Sequence, residues 1–335
     1  MRVFRILVVY PLLLLGIAYM LGQWWVLKPL TLPASASAEA PLVFEIPPGS
    51  SARQSAQRIA DAGVDVMPDL LFAWFRLSGD SREIKAGVYE IAPGTTPRQL
   101  LGKLVRGEQA LRNAQIIEGL TARQAIDALR ESPDLTNDLK DLSLEQVMER
   151  LGLPGVHPEG RFFPDTYRVV KNAPVSSVLR QAARAMDQRL AQAWEKRDPS
   201  SPLRSPEEAL ILASIIEKET GRDADRARVA GVFSNRLRIG MRLQTDPSVI
   251  YGLGDRFDGN LRRADLGTDT PYNTYTRAGL PPTPIALPGM ASLMAAVQPA
   301  RTSALYFVAR GDGSSQFSAT LPEHNAAVRR FQLGR

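Results

Sequence analysis

The stretch that most limits what this chain can become lies at its start. From Ile6 to Leu21 the residues ILVVYPLLLLGIAYML carry no charge, and the run continues through Trp24, Trp25, Val26 and Leu27. That is close to the ~20 residues a helix needs to cross a bilayer, with the two tryptophans placed as an interfacial belt. Arg2 and Arg5 precede it, so the positive-inside rule keeps residues 1–5 in the cytoplasm and exports the chain beyond the span at 6–27. The rival is a cleaved signal peptide, with small-residue sites at Ala34, Ser35, Ala36 and Ala38. Those sites lie past Trp24, Trp25 and Lys28, farther from the apolar run than such signals place them, which favours an uncleaved single-pass anchor. The exported part must hold together by packing alone, because the 335 residues include no cysteine.

The absence of cysteine also excludes a thiol nucleophile and thiolate metal sites. Only two histidines, His157 and His324, are present. That argues against a histidine-rich metal site and leaves few partners for a serine nucleophile, so no metal or cofactor is expected. The net charge of +6 suits an acidic partner: nucleic acid, anionic lipid or an anionic cell-wall polymer. No RNP, zinc-finger or arginine-rich aromatic pattern supports nucleic acid, and the excess charge is spread as on a soluble basic surface.

Residues 28–41 are rich in Pro, Ala and Ser and read as a linker. Beyond them the chain repeats itself. Phe44-Glu45-Ile46-Pro47-Pro48-Gly49-Ser50-Ser51 and Tyr89-Glu90-Ile91-Ala92-Pro93-Gly94-Thr95-Thr96 match, and Ile116-Ile117-Glu118-Gly119-Leu120-Thr121 is a weaker third copy. Each copy predicts a short strand, a glycine turn, and a helix capped by Ser51, Thr96 or Thr121. Residues 42–108 thereby form a small β-α-α-β unit, and 109–335 a larger mixed domain. The fold class expected is α+β. Residues 123–193 read as mostly helical, broken at 154–167 by a turn, Glu159 to Tyr167, packed by aromatics.

Ser205-Pro206-Glu207-Glu208 is a helix start, and Ala209 to Ile216 is apolar or small without interruption. Glu217 continues that buried stripe, while Glu219 faces nearly the opposite way, so Lys218 and Glu219 read as a solvated or salt-bridged end. A glutamate entering an apolar pocket keeps its proton at neutral pH and can act as a general acid. The bland alternative is a glutamate that caps or pairs at a helix end. Val229, Val232, Phe233 and Leu237 share one face of the next helix, which also carries Asn235 and Arg236. In Leu243 to Gly252, Asp246 reads as the cap of a helix starting at Pro247. Gln244 and Thr245 are candidate hydrogen-bonding groups for a sugar, with Asp246 and Tyr251 beside them. Asn273 and Tyr275, in Thr270-Pro271-Tyr272-Asn273-Thr274-Tyr275, suit sugar bonding and stacking. His324 and Asn325 read as packing.

The segment from Ala213 to Gly254, together with Glu159 to Tyr167 and Thr270 to Tyr275, closely resembles the endolytic murein transglycosylases of the YceG-like family. The resemblance runs almost from the anchor to His324-Asn325. It implies a LysM-like unit at 42–108, used for glycan docking or as a spacer, ahead of a catalytic domain at 109–335. It implies cutting of MurNAc-β-1,4-GlcNAc bonds inside peptidoglycan strands to give 1,6-anhydro ends. It assigns the acid/base to Glu217, in the Ile-Glu-Lys-Glu-Thr context, and substrate contacts to Gln244, Thr245, Asp246, Tyr251, Asn273, Tyr275 and Asn235. It further implies work beside peptidoglycan synthases. A hydrolytic muramidase using Asp246 or Glu219 to activate water, and a non-enzymatic glycan-binding assembly factor, remain as alternatives.

Overall fold

The computed structural model describes residues 10–334; Arg2, Arg5 and the first residues of the apolar run, 6–9, lie outside them. Two compact units succeed one another in sequence, with the division after Arg112.

The first unit opens with α1 (Tyr10–Leu27), a helix long and apolar enough to cross a membrane. Strand β1 (Leu42–Ile46) leads through α2 (Ala52–Asp61) and α3 (Pro68–Leu77) to β2 (Gly87–Ile91), then α4 (Pro97–Arg106). β1 and β2 pair antiparallel, Leu42 opposite Ile91 and Ile46 opposite Gly87. Their inward residues Phe44, Ile46, Tyr89 and Ile91 close a core with Ile59, Leu71, Phe75, Leu100 and Leu104. The expected linker is not free at its start. Leu30 is buried, its N–H donates to Thr95 O (2.9 Å), and Thr31 bridges Asp65.

The repeat is local physics made visible. Gly49, Gly94 and Gly119 all sit at positive φ (81°, 88° and 77°), which an L side chain rarely adopts. Ser51, Thr96 and Thr121 then cap α2, α4 and α5 (Ala122–Arg130), each with a capping box completed by Gln54, Gln99 or Gln124. The third strand departs from expectation. β3 ends at Gln115 (Leu111–Gln115), so Ile116 and Ile117 are loop, and Ile116 N–H bonds Asp165 O instead.

In the second unit the stretch read as helical also contains short strands. After β4 (Leu135–Thr136) and α6 (Leu144–Leu151) come β5 (Thr166–Val170) and β6 (Ala173–Pro174), then the long α7 (Val175–Glu195). β5 pairs with β3, and β6 runs parallel to β4. The aromatic turn before β5 buries Phe162 and Phe163 as expected. The remaining elements are α8 (Pro206–Glu219), α9 (Asp223–Arg238), α10 (Asp246–Leu253), α11 (Arg263–Gly267), α12 (Met290–Val297), β7 (Tyr306–Ala309), β8 (Ser315–Ser318) and α13 (Leu321–Phe331).

Helix α8 is the axis of this unit. Every residue from Ala209 to Ile216 is buried, because α7, α9, α10 and α12 pack around it. Leu210, Ile211, Leu212, Ile215 and Ile216 each contribute roughly 1.5–3 kcal/mol by leaving water. Such a helix is held rigidly, and so are the two carboxylates at its end.

Candidate active site

Glu217 and Glu219 leave α8 on opposite sides, and the two sides differ. Glu217 has a side chain only 7% exposed. Its Oε2 accepts the N–H of Gly289 (2.9 Å), and its Oε1 lies 3.9 Å from Arg226 Nη2. Arg226 also binds Asp223. On the same side Ser214 Oγ accepts the N–H of Ile285 (3.0 Å), so α8 grips residues 285–289 at two points one helical turn apart. Glu118 joins this cluster. Burial and the charge of Glu217 push its carboxyl above the ordinary range.

Glu219 faces a cleft of about 670 Å³ lined also by Arg236, Gln244, Asp246, Tyr275, Tyr306 and His324. Far from being a solvated end, its carboxyl is largely buried and pushed up to about 7. Burial is the first cause; the charge of Asp246 adds to it, while the hydroxyl of Thr245, which donates to Glu219 Oε1, and the Arg236 guanidinium oppose it. A carboxyl of that kind holds its proton near neutral pH and can both give and take it.

The cleft wall is built by segments distant in sequence. Gln244 sits at φ 50°, a left-handed conformation, and its N–H donates to Thr274 O (3.2 Å). Thr245 is buried, its N–H held by Thr274 Oγ1 (3.0 Å). Asp246 is not the cap expected of it. α10 begins at Asp246, with Thr245 at the N-cap position, and Asp246 Oδ1 accepts the Tyr275 hydroxyl (2.5 Å). Burial foremost, then this bond, pushes the Tyr275 phenol up.

Of the residues expected at the site, Gln244, Asp246 and Tyr275 line one cleft and Thr245 supports it from beneath. The other four lie elsewhere. Glu217 points to Gly289 and Arg226. Tyr251, at the far end of α10, donates to the buried Glu159 Oε2 (3.1 Å) and packs edge-on against Tyr272. Asn273 is fully buried: its Nδ2 donates to the carbonyls of Asp265, Leu266 and Thr268, and its Oδ1 accepts Tyr275 N–H. Asn235 is a staple too, its Nδ2 donating to Thr302 O (2.8 Å) and Ala304 O (3.0 Å). An asparagine that matches several main-chain groups in a loop is used up by them.

Sequence reasoning also missed part of the cleft. Arg236, given no role from the sequence, is buried between Leu305 O (2.7 Å) and Leu243 O (2.6 Å) with its guanidinium over Tyr306. His324, read as packing, stacks on Tyr306 at 5.2 Å and faces the cleft, with Asn325 beside it. Burial and the Arg236 charge hold the His324 imidazole below its ordinary range. The available signal was the Asn-Arg and His-Asn pairs themselves. The place of Arg236, His324 and Asn325 on the cleft depends on β7 and α13 closing over α9, which no local pattern announces. Among the described residues no group of histidines, cysteines and carboxylates has the arrangement of a metal site.

A cleft with one proton-holding carboxyl, a second carboxylate, aromatic rings and amide groups is the equipment of a glycan-processing protein. The chain belongs to the YceG-like family, whose model matches residues 44–330. It is 32% identical over 349 aligned positions to an endolytic murein transglycosylase of Bacillus subtilis (strain 168), covering 95% of this chain and 91% of that one. A Streptococcus pneumoniae protein of the same name is 27% identical, across 92% of this chain but 61% of its own length. The crystal structure of a yceG-like protein from Listeria monocytogenes superposes with a TM-score of 0.54 at 32% identity, covering 85% of this chain and 98% of that one.

Proposed function

We propose that the protein is a membrane-anchored lytic transglycosylase that cuts MurNAc-β-1,4-GlcNAc bonds inside peptidoglycan strands, and that Glu219 is its acid/base. The observation that carries the assignment is the Glu219 carboxyl, at about 7, sharing its cleft with Gln244, Asp246 and Tyr275. The names of the relatives supply the reaction class and the peptidoglycan substrate.

The reaction needs one group that works twice. Protonated Glu219 gives its proton to the oxygen leaving toward GlcNAc as the glycosidic bond breaks at the muramic acid anomeric carbon. The muramic acid 6-hydroxyl oxygen then bonds to that carbon, its proton passes to the Glu219 carboxylate, and a 1,6-anhydro end results. No water enters, and the protonated acid is restored. A pKa near the working pH suits a group that must be acid and then base. The oxocarbenium-like charge is met by the substrate's own acetamido group or by Asp246. Gln244 and Asn325 offer amides to sugar hydroxyls, and Tyr275 offers its ring.

Glu217 takes the role of holding residues 285–289 against α8. A second reading is favoured by one feature, the Asp246 carboxylate beside Glu219, which would allow water to be activated in a hydrolytic muramidase. The location that goes with the reading is the cytoplasmic membrane, single-pass, with the N-terminus inside and residues 28–335 outside. Release of nascent strands beside peptidoglycan synthases fits that place.

The test compares wild type, Glu219→Gln and Glu217→Gln on uncrosslinked glycan strands and reads product masses. Anhydro ends from wild type, none from Glu219→Gln and a reduced yield from Glu217→Gln is the expected result. Loss only in Glu217→Gln returns the acid to that residue. Ends heavier by one water mean a hydrolase, and absence of cutting by all three proteins means a binding factor.

A further inference from the structure

Helix α3 is apolar around most of its circumference yet covered on only one side. In PDLLFAWFRL only Asp69 and Arg76 carry charge, and Leu71 and Phe75 are buried in the core of the first unit. Leu70 and Leu77 stand at i and i+7 on one exposed stripe, while Trp74 between them is half-buried against that core. Leu77 is 84% exposed and Leu70 40%; Met67, one turn before Leu70 at the N-cap position, is 68% exposed. A contiguous apolar stripe on the surface marks an interaction face.

The stripe adjoins the end of α1. Met67 and Leu70 line one groove with Trp24, Trp25 and Lys28. That junction is tight: Val26 is buried, Trp25 packs on the core of the unit, and Leu30 is hydrogen-bonded to Thr95. Only Lys28 and Pro29 lie between Leu27 and Leu30, and those three Cα steps span at most about 10 Å. A bilayer crossed by α1 is therefore within reach of α3.

We propose that Met67, Leu70 and Leu77 bed into the headgroup layer of the membrane that α1 spans, so that the first unit lies on the bilayer. This rests on reading α1 as an uncleaved anchor. The chemistry of the surrounding surface agrees. Trp24 is a side chain that settles at the headgroup level, and Lys28 and Arg76 are exposed cations available to anionic lipid. An interfacial helix with one apolar face buries it about 5–10 Å into the headgroup boundary.

The chain has no cysteine, so single reporters can be placed in the full-length protein: Leu77→Cys on the stripe, Glu45→Cys on exposed β1, and Leu15→Cys within α1. Each is labelled with an environment-sensitive fluorophore in vesicles of phosphatidylethanolamine and phosphatidylglycerol carrying nitroxide on the headgroup or at the acyl-chain end. The headgroup nitroxide is expected to quench position 77 several-fold more than position 45, and the chain-end nitroxide to quench position 15. Quenching at 15 with 77 no different from 45, whether both are high or both low, overturns the proposal and leaves the anchor standing. No quenching at 15 overturns the anchor and the proposal with it.

Discussion

Replacing Glu219 by glutamine is expected to abolish cutting and yet to stabilise the fold at neutral and alkaline pH. The carboxyl rises from its ordinary 4.5 to about 7 in the folded protein. Below 4.5 both folded and unfolded chains hold the proton, and the group costs nothing. Between 4.5 and about 7 the folded chain keeps a proton that the unfolded chain has lost, so stability falls as pH rises. Above about 7 the full penalty is present, about 3 kcal/mol at ~1.4 kcal/mol per pH unit. Glutamine keeps an oxygen for the Thr245 hydroxyl and carries no charge to bury. Thermal unfolding of the two full-length proteins in detergent should therefore coincide near pH 4 and separate by roughly 6–12 °C at pH 8, the variant melting higher. Glu159 is also pushed up to about 7 by burial, but it is common to both proteins and cancels in the comparison. Equal melting points at pH 4 and pH 8 would show that Glu219 is not desolvated, and the acid/base argument would fall with it. In wild type, if Glu219 is the acid as proposed, kcat/KM is expected to decline above about pH 7.

Asn273→Ala leaves three backbone carbonyls and one N–H without their partner, and should cost about 2–4 kcal/mol in denaturant unfolding rather than raise KM selectively. Tyr275→Phe removes the hydroxyl bonded to Asp246 and should lower kcat/KM about tenfold, with the melting temperature almost unchanged. Gly289→Ala drives a methyl to 1.7 Å from Glu118 Oε1, beside the N–H that Glu217 accepts. It should destabilise by about 1–3 kcal/mol, read by the shift of the urea midpoint.

What could be read in advance was local. The three capped helices arise from hydrogen bonds closed within four residues, Ser51 with Gln54, Thr96 with Gln99 and Thr121 with Gln124. The burial of α8 comes from an apolar run too long to leave one face wet. The division of Glu217 and Glu219 between opposite sides is a matter of helical geometry alone. Which side holds the cleft is not. Gln244, Thr245 and Asp246 reach Glu219 by a turn locked to Thr274, and the pairing of those segments lies outside any helical or strand period. The partners of Asn235, Asn273 and Tyr251 were hidden for the same reason, since a polar side chain looks available until the carbonyls or carboxyl that claim it are known.

The sequence by itself determined most of the helices, the three capping boxes, the apolar span at the start and the family, because those rest on interactions between near neighbours and on composition. Only the tertiary structure decided which carboxyl stands in the cleft. Desolvation is a property of everything packed around a group, and for Glu219 that packing is supplied by chain that arrives from residues 236, 245, 275 and 306.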